Sequence, residues 1–148
     1  MDKLTARKDE RTVGIVLPYA PAPSESFITN HIVNLPAKIV TIQGWRPSIE
    51  GRTVLSFQRR VFHKVLRSLS GQGLERETTA AYLKAFRRHR VKAVLAEYGT
   101  TGVMTLDACR RLHIPLIVYF LGYDASVKSV LEEHAESYPR MFQEACAV

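Results

Sequence analysis

The chain has 148 residues, 46% of them hydrophobic and 24% charged, which is long and apolar enough for one domain with a real core. No apolar run approaches the roughly 20 residues that a membrane-spanning helix needs, and residues 1–11 are too charged for a signal peptide. A net charge of +7 makes a surface that can attract nucleic acid, anionic lipid or phosphorylated ligands, while two cysteines without metal spacing fit a reducing cytosol.

In chain order, residues 1–11 read as a flexible arm and residues 12–148 as one domain. Thr12 to Pro18 is the first strand, closed by Pro18. Pro21 and Pro23 stiffen the next loop. Ser24 then offers an N-cap, Glu25 suits the first turn of a helix, and Phe27, Ile28, Ile32 and Leu35 give that helix an apolar face ending at Pro36. Lys38 to Gln43 is a second strand and Gly44 to Gly51 a loop. Thr53 to Leu69 has the spacing of an amphipathic helix, with Val54, Phe57, Val61, Val65 and Leu69 on one face and Arg52, Arg59, Arg60, Lys64 and Arg67 on the basic side. A further helix runs from Leu74 to His89, with Ala81, Leu83 and Phe86 inward, and a second basic cluster follows from Lys84 to Lys92.

The organising stretch is Val94 to Ser126. Two short apolar runs, Val91 to Ala96 and Ile114 to Leu121, each end in a Gly-containing turn, with helical spacing between them at Val103, Leu106, Cys109 (or Ala108) and Leu112. Such runs suit strands buried on both faces of a parallel sheet. Cys109 falls on the inner face as a buried thiol. Val127 to Ala145 reads as a helix interrupted near Pro139, and residues 146–148 as the start of another strand. The alternation gives the fold class: α/β, a Rossmann-like three-layer domain with a mainly parallel sheet. Ligands of such sheets bind beyond the carboxyl ends of the strands. That places Pro23 to Phe27, Glu97 to Gly102 and Leu121 to Ser126 on one edge.

Four short stretches in order carry a resemblance: Pro23-Ser24-Glu25-Ser26-Phe27-Ile28, Glu97-Tyr98-Gly99-Thr100-Thr101-Gly102, Leu121-Gly122-Tyr123-Asp124-Ala125 and Tyr138-Pro139-Arg140-Met141-Phe142. Together they resemble the N-terminal, acceptor-side domain of bacterial family-4-like glycosyltransferases of the GT-B fold. The resemblance implies one half of a GT-B architecture, with the donor-binding domain absent. The activity it implies is transfer of a sugar from a nucleotide-sugar donor to a glycan or lipid-linked acceptor in polysaccharide or cell-surface glycan biosynthesis, and this chain alone is expected to be inactive. The family's motif His falls on Leu121, which neither donates nor accepts a hydrogen bond.

The acceptor-binding residues expected from the motifs are Ser24, Glu25, Glu97, Tyr98, Gly99, Thr100, Gly102, Gly122, Tyr123 and Asp124, with Asp124 as the catalytic candidate. Each has a plainer structural reading. Ser24, Glu25 and Asp124 suit helix caps, Glu97 a solvated strand end, and the glycines simple turns. Tyr98 and Tyr123 suit either a stacking surface for a sugar or the core. His31, His63, His89, His113 and His134 have no partner pattern and read as solvated or internally satisfied. The basic helix, Arg52, Arg59, Arg60, Lys64 and Arg67, suits either solvent or an anionic membrane surface. No cofactor and no metal is expected. Nucleic acid is a poorer fit, since no aromatic-interleaved basic motif is present. The expected location is cytoplasmic, at the inner face of the cytoplasmic membrane, with self-association at high concentration through an open sheet edge. The alternatives are a non-catalytic remnant or partner-binding domain, and a basic Rossmann-like module for a phosphorylated ligand or RNA.

Overall fold

The structure, a computed structural model, describes residues 9–49, 52–53 and 72–148. Its strands are β1 (Asp9–Leu17), β2 (Ala37–Gln43), β3 (Ser48–Ile49), β4 (Arg52–Thr53), β5 (Val91–Glu97) and β6 (Leu116–Tyr119). Its helices are α1 (Ser26–Asn34), α2 (Gln72–Arg88), α3 (Gly99–Leu112), α4 (Gly122–Ser126), α5 (Lys128–Glu133) and α6 (Ser137–Glu144). The strands form one sheet in the order β4-β3-β2-β1-β5-β6. β2, β1, β5 and β6 are parallel, whereas β3 and β4 are a short antiparallel addition at one edge. Ala147 adds a parallel bridge beside Ile117 at the other edge, where a further strand was expected to begin.

β1 is the central strand because its sequence is apolar on both sides. Ile15, Val16 and Leu17 are all fully buried. Val16 faces the larger core with Ile42, Val94, Ala96, Leu116 and Val118, beneath Tyr82, Ala85 and Phe86 of α2, Leu106 and Cys109 of α3, and Met141 of α6. Ile15 and Leu17 face the other way, onto Ile28 of α1. Full burial of side chains such as Phe86 and Ile15 contributes about 1.5–3 kcal/mol each. The sheet therefore has helices on both faces, a Rossmann-like α/β domain. Cys109 lies in the larger core, where burial pushes its thiol up to about 12.

Several boundaries differ from the sequence reading, each for a local reason. Asp9, Glu10 and Arg11 belong to β1 rather than to a free arm, because Asp9 pairs with Ala37 across an irregularity in the ladder. Ser48–Ile49 and Arg52–Thr53 pair with each other where a loop and then a helix start were expected. The rest of the expected amphipathic helix lies outside the described residues. The helix after β5 starts at Gly99, so Thr100 to Gly102 form its first turn instead of a loop. Gly122 to Ser126 is likewise a short helix. Pro139 sits in the first turn of α6, where its missing N–H costs nothing, and the break falls earlier, at 134–136. β6 is not buried on both faces: Leu116 and Val118 point into the larger core while Ile117 and Tyr119 alternate outward.

Two glycines have a packing role. A Cβ at Gly99 would lie 2.6 Å from the Phe120 ring, and one at Gly102 would lie 2.6 Å from Met141 Sδ and 2.9 Å from Val118. They let α3 approach β6 and α6. At Gly122 a Cβ would meet nothing within 4 Å. Gly102→Ala should therefore lower stability by about 1–3 kcal/mol through overpacking, while Gly122→Ala should leave it level or raise it by about 0.4–1 kcal/mol. Urea denaturation of the two variants checks the contrast; equal effects would refute the packing account.

Candidate active site at the carboxyl edge

The strand order reverses direction between β1 and β5: the chain runs outward to β2 from β1 and outward to β6 from β5. The crevice at such a switch point is where open parallel sheets bind ligands. Here it is filled from three places: the loop after β1, the end of β5, and the residues after β6.

The first contribution is Glu25. It caps α1 by its backbone position, but its side chain turns away from the helix. Ala22 N donates to Oε2 at 2.7 Å, Tyr19 Oη donates to Oε1 at 3.1 Å, and Tyr98 Oη donates to the same oxygen. These donors, Tyr98 foremost, hold the Glu25 carboxyl below the usual glutamate range. Ser24, the expected N-cap, is instead an exposed turn residue, and Glu25 takes the cap position without a side-chain cap bond.

The second contribution is the pair Glu97–Tyr98. Glu97 ends β5 fully buried, not solvated as its plainer reading had it. Burial pushes its carboxyl above the usual range, and His31 offsets part of that. His31 Nδ1 lies 2.7 Å from Glu97 Oε1, while Glu97 Oε2 is buried without a partner. Tyr98 adopts φ 81°, ψ 148°, a region nearly restricted to glycine, at a cost of order 1–3 kcal/mol. Its neighbours over-determine it. Its N–H donates to Tyr119 O at 3.0 Å, and its carbonyl accepts from Gly102 N at 3.1 Å and from Thr101 Oγ1 at 2.9 Å. Burial, then Glu25, drives the Tyr98 phenol pKa upward, so it remains a donor.

The third contribution comes after β6. The Tyr123 ring is 53% exposed and stands perpendicular to the Tyr98 ring, 6.1 Å between centres. Gly122 is open to solvent. Asp124 is fully buried with both oxygens engaged inside the fold: Oδ2 accepts from Leu121 N at 3.0 Å and Oδ1 from Tyr138 Oη at 3.3 Å. It is thus the third helical residue bonding back to the cap position, rather than the cap itself. Leu121 packs into the apolar cluster of Ile15, Leu17, Ile28 and Tyr98.

The structure brings together Glu25, Glu97, Tyr98 and Tyr123. It sets Gly99 and Gly102 into helix packing, and Thr100 into a separate cavity of about 620 Å3 between α2, α3 and the chain before α6, which Trp45 also lines. Arg52 is in β4, and Arg59, Arg60, Lys64 and Arg67 lie outside the described residues. Among the described residues no helix is long and apolar enough to cross a membrane, and no three metal-ligating side chains converge. Sequence reasoning missed His31, Tyr19 and Tyr119. The signal for His31 was its phase, since it follows Phe27 by four residues and precedes Leu35 by four on the inner stripe of α1. Phe27 and Tyr119 both pack on its ring. Compared with protein-family models, curated proteins and solved structures, the chain matches none.

The site holds two carboxyl groups whose environments push them apart, one toward the anion and one toward the acid, an arrangement suited to proton transfer. Tyr98→Phe removes a donor from a buried carboxylate and should cost about 1.5–3 kcal/mol in chemical denaturation. The pH dependence has opposite signs at the two acids. Glu25, lowered when folded, contributes stability above its unfolded range that is lost as pH falls through its folded value. Glu97, raised when folded, opposes folding increasingly as pH rises through and beyond the usual glutamate range. Glu97→Gln should therefore gain on the parent protein from pH 4 to pH 7, and Glu25→Gln should lose; parallel stability curves for all three would contradict the assignment.

Proposed function

We propose that the chain is the acceptor-side domain of a GT-B glycosyltransferase, binding a hydroxyl-rich glycan or lipid-linked acceptor at the carboxyl edge of its sheet. The observation that supports this reading best is the convergence of the three motif stretches on one crevice, with Glu25, Tyr98 and Tyr123 joined across the β1–β5 switch point. Tyr123 offers an exposed ring to a sugar face, and the open surface at Gly122 lets a ligand approach the backbone. The acceptor hydroxyl would attack the anomeric carbon of a nucleotide-activated sugar carried by a second domain. The cytoplasmic face of a membrane is where such an acceptor would be met.

A second reading, a binding domain without turnover, is favoured by Leu121 and Asp124. Leu121 supplies no polar group, and Asp124 has both oxygens engaged within the fold. On either reading the chain alone binds acceptor rather than donor. In a glycan-array and lipid-acceptor screen we expect binding that Tyr123→Ala weakens about tenfold, and calorimetry with UDP- and GDP-sugars should give no heat. Salt-sensitive binding to RNA without binding to any glycan would overturn the proposal.

A further inference from the structure

On the α1 side, the face of β5 and β6 is only half covered. Ile117 is 42% exposed and Tyr119 39% exposed. A cavity of about 280 Å3 lies there, lined by Val13, Leu35, Leu95, Ile117, His31 and Tyr119 among others. Its wall is aliphatic except at one end, where the His31 and Tyr119 rings meet edge to face, 5.1 Å apart. His31 Nδ1 is committed to Glu97 Oε1 at 2.7 Å, so Nε2 is the ring nitrogen left for a ligand. Behind the imidazole, Glu97 is fully buried and its Oε2 has no partner. A buried carboxyl group with one oxygen unpaired is unusual in a fold.

The chemistry follows from the pairing. With Nδ1–H assigned as the donor to Glu97 Oε1, Nε2 is the lone pair left to accept a hydrogen bond. We propose that this pocket binds a small apolar molecule with a single acidic hydroxyl, a phenol, which donates its O–H to His31 Nε2 while its ring lies on Tyr119 and the aliphatic wall. A sugar suits the pocket less, because it would press several hydroxyls against Val13, Leu95 and Ile117 without partners. The volume is just below the range of drug-sized pockets, which fits one substituted ring. The pocket shares Glu97 with the carboxyl edge through His31, but the phenol it would hold does not depend on the acceptor reading.

The test is an NMR titration of the full chain with p-cresol and with p-xylene, which puts a methyl where the hydroxyl was. p-Cresol should bind about tenfold more tightly than p-xylene, the worth of one hydrogen bond in a desolvated pocket. It should also shift the His31 Nε2 nitrogen resonance, and its advantage should vanish in His31→Phe. Should that variant not fold, the Nε2 resonance of the parent protein decides alone: an acceptor nitrogen that moves on adding p-cresol supports the proposal. Equal binding of the two ligands, no binding of either, or a protonated Nε2 in the free neutral-pH protein overturns it. A negative result with p-cresol beside positive glycan binding overturns this inference alone, and the converse overturns the acceptor reading alone.

Discussion

The hydrogen bond from Tyr98 to Glu25 is the contact on which the carboxyl edge depends. It joins residues 73 positions apart and ties the loop after β1 to the end of β5, the two strands that flank the switch point. The tie is made at the expense of backbone freedom, since Tyr98 occupies a region that side chains avoid. That conformation is held by two backbone–backbone bonds, one bond from the Thr101 hydroxyl and the phenol's bond to Glu25. It also sets the two consecutive residues Glu97 and Tyr98 on different partners: one reaches His31, the other Glu25.

The split between the two acids follows from this arrangement. Glu25 gathers donors from Tyr98, Tyr19 and Ala22, so its charge is solvated by the protein. Glu97 has one partner and no solvent, so its charge is penalised. The carboxyl edge thus holds an anion whose oxygens are engaged and, on the other side of the Glu97–Tyr98 peptide, a fully buried carboxyl group paired with His31. An exposed aromatic, Tyr123, stands at its rim. Such an edge presents a few fixed polar groups, and the adjoining apolar cluster of Ile15, Leu17 and Ile28 holds the strands that carry them.

The sheet was legible because its signal is local and redundant. The apolar runs at Val13 to Leu17, Ile39 to Ile42, Val91 to Ala96 and Leu116 to Val118 have no other good use, and the intervening helical spacings force parallel crossovers. The positions of Glu25, Glu97, Tyr98 and Tyr123 at one edge followed from the same topology. What was not legible was the direction of individual side chains. Asp124 and Gly102 satisfied the sequence pattern of a site, yet Asp124 bonds back to Leu121 N and to Tyr138, and Gly102 makes room for Met141 and Val118. Those contacts come from residues up to 39 positions away, beyond the reach of spacing. His31 was passed over because a single histidine carries no pattern; only the fold supplies its partner, 66 residues on.

The most direct measurement is a carbon-detected NMR titration of the glutamate carboxyl groups in the folded protein. The Glu25 carboxyl should titrate below the ordinary glutamate range and the Glu97 carboxyl above it, with the Glu97 transition accompanied by a shift of the His31 ring. Two carboxyl groups that titrate together in the ordinary range, with His31 indifferent to both, would contradict the account.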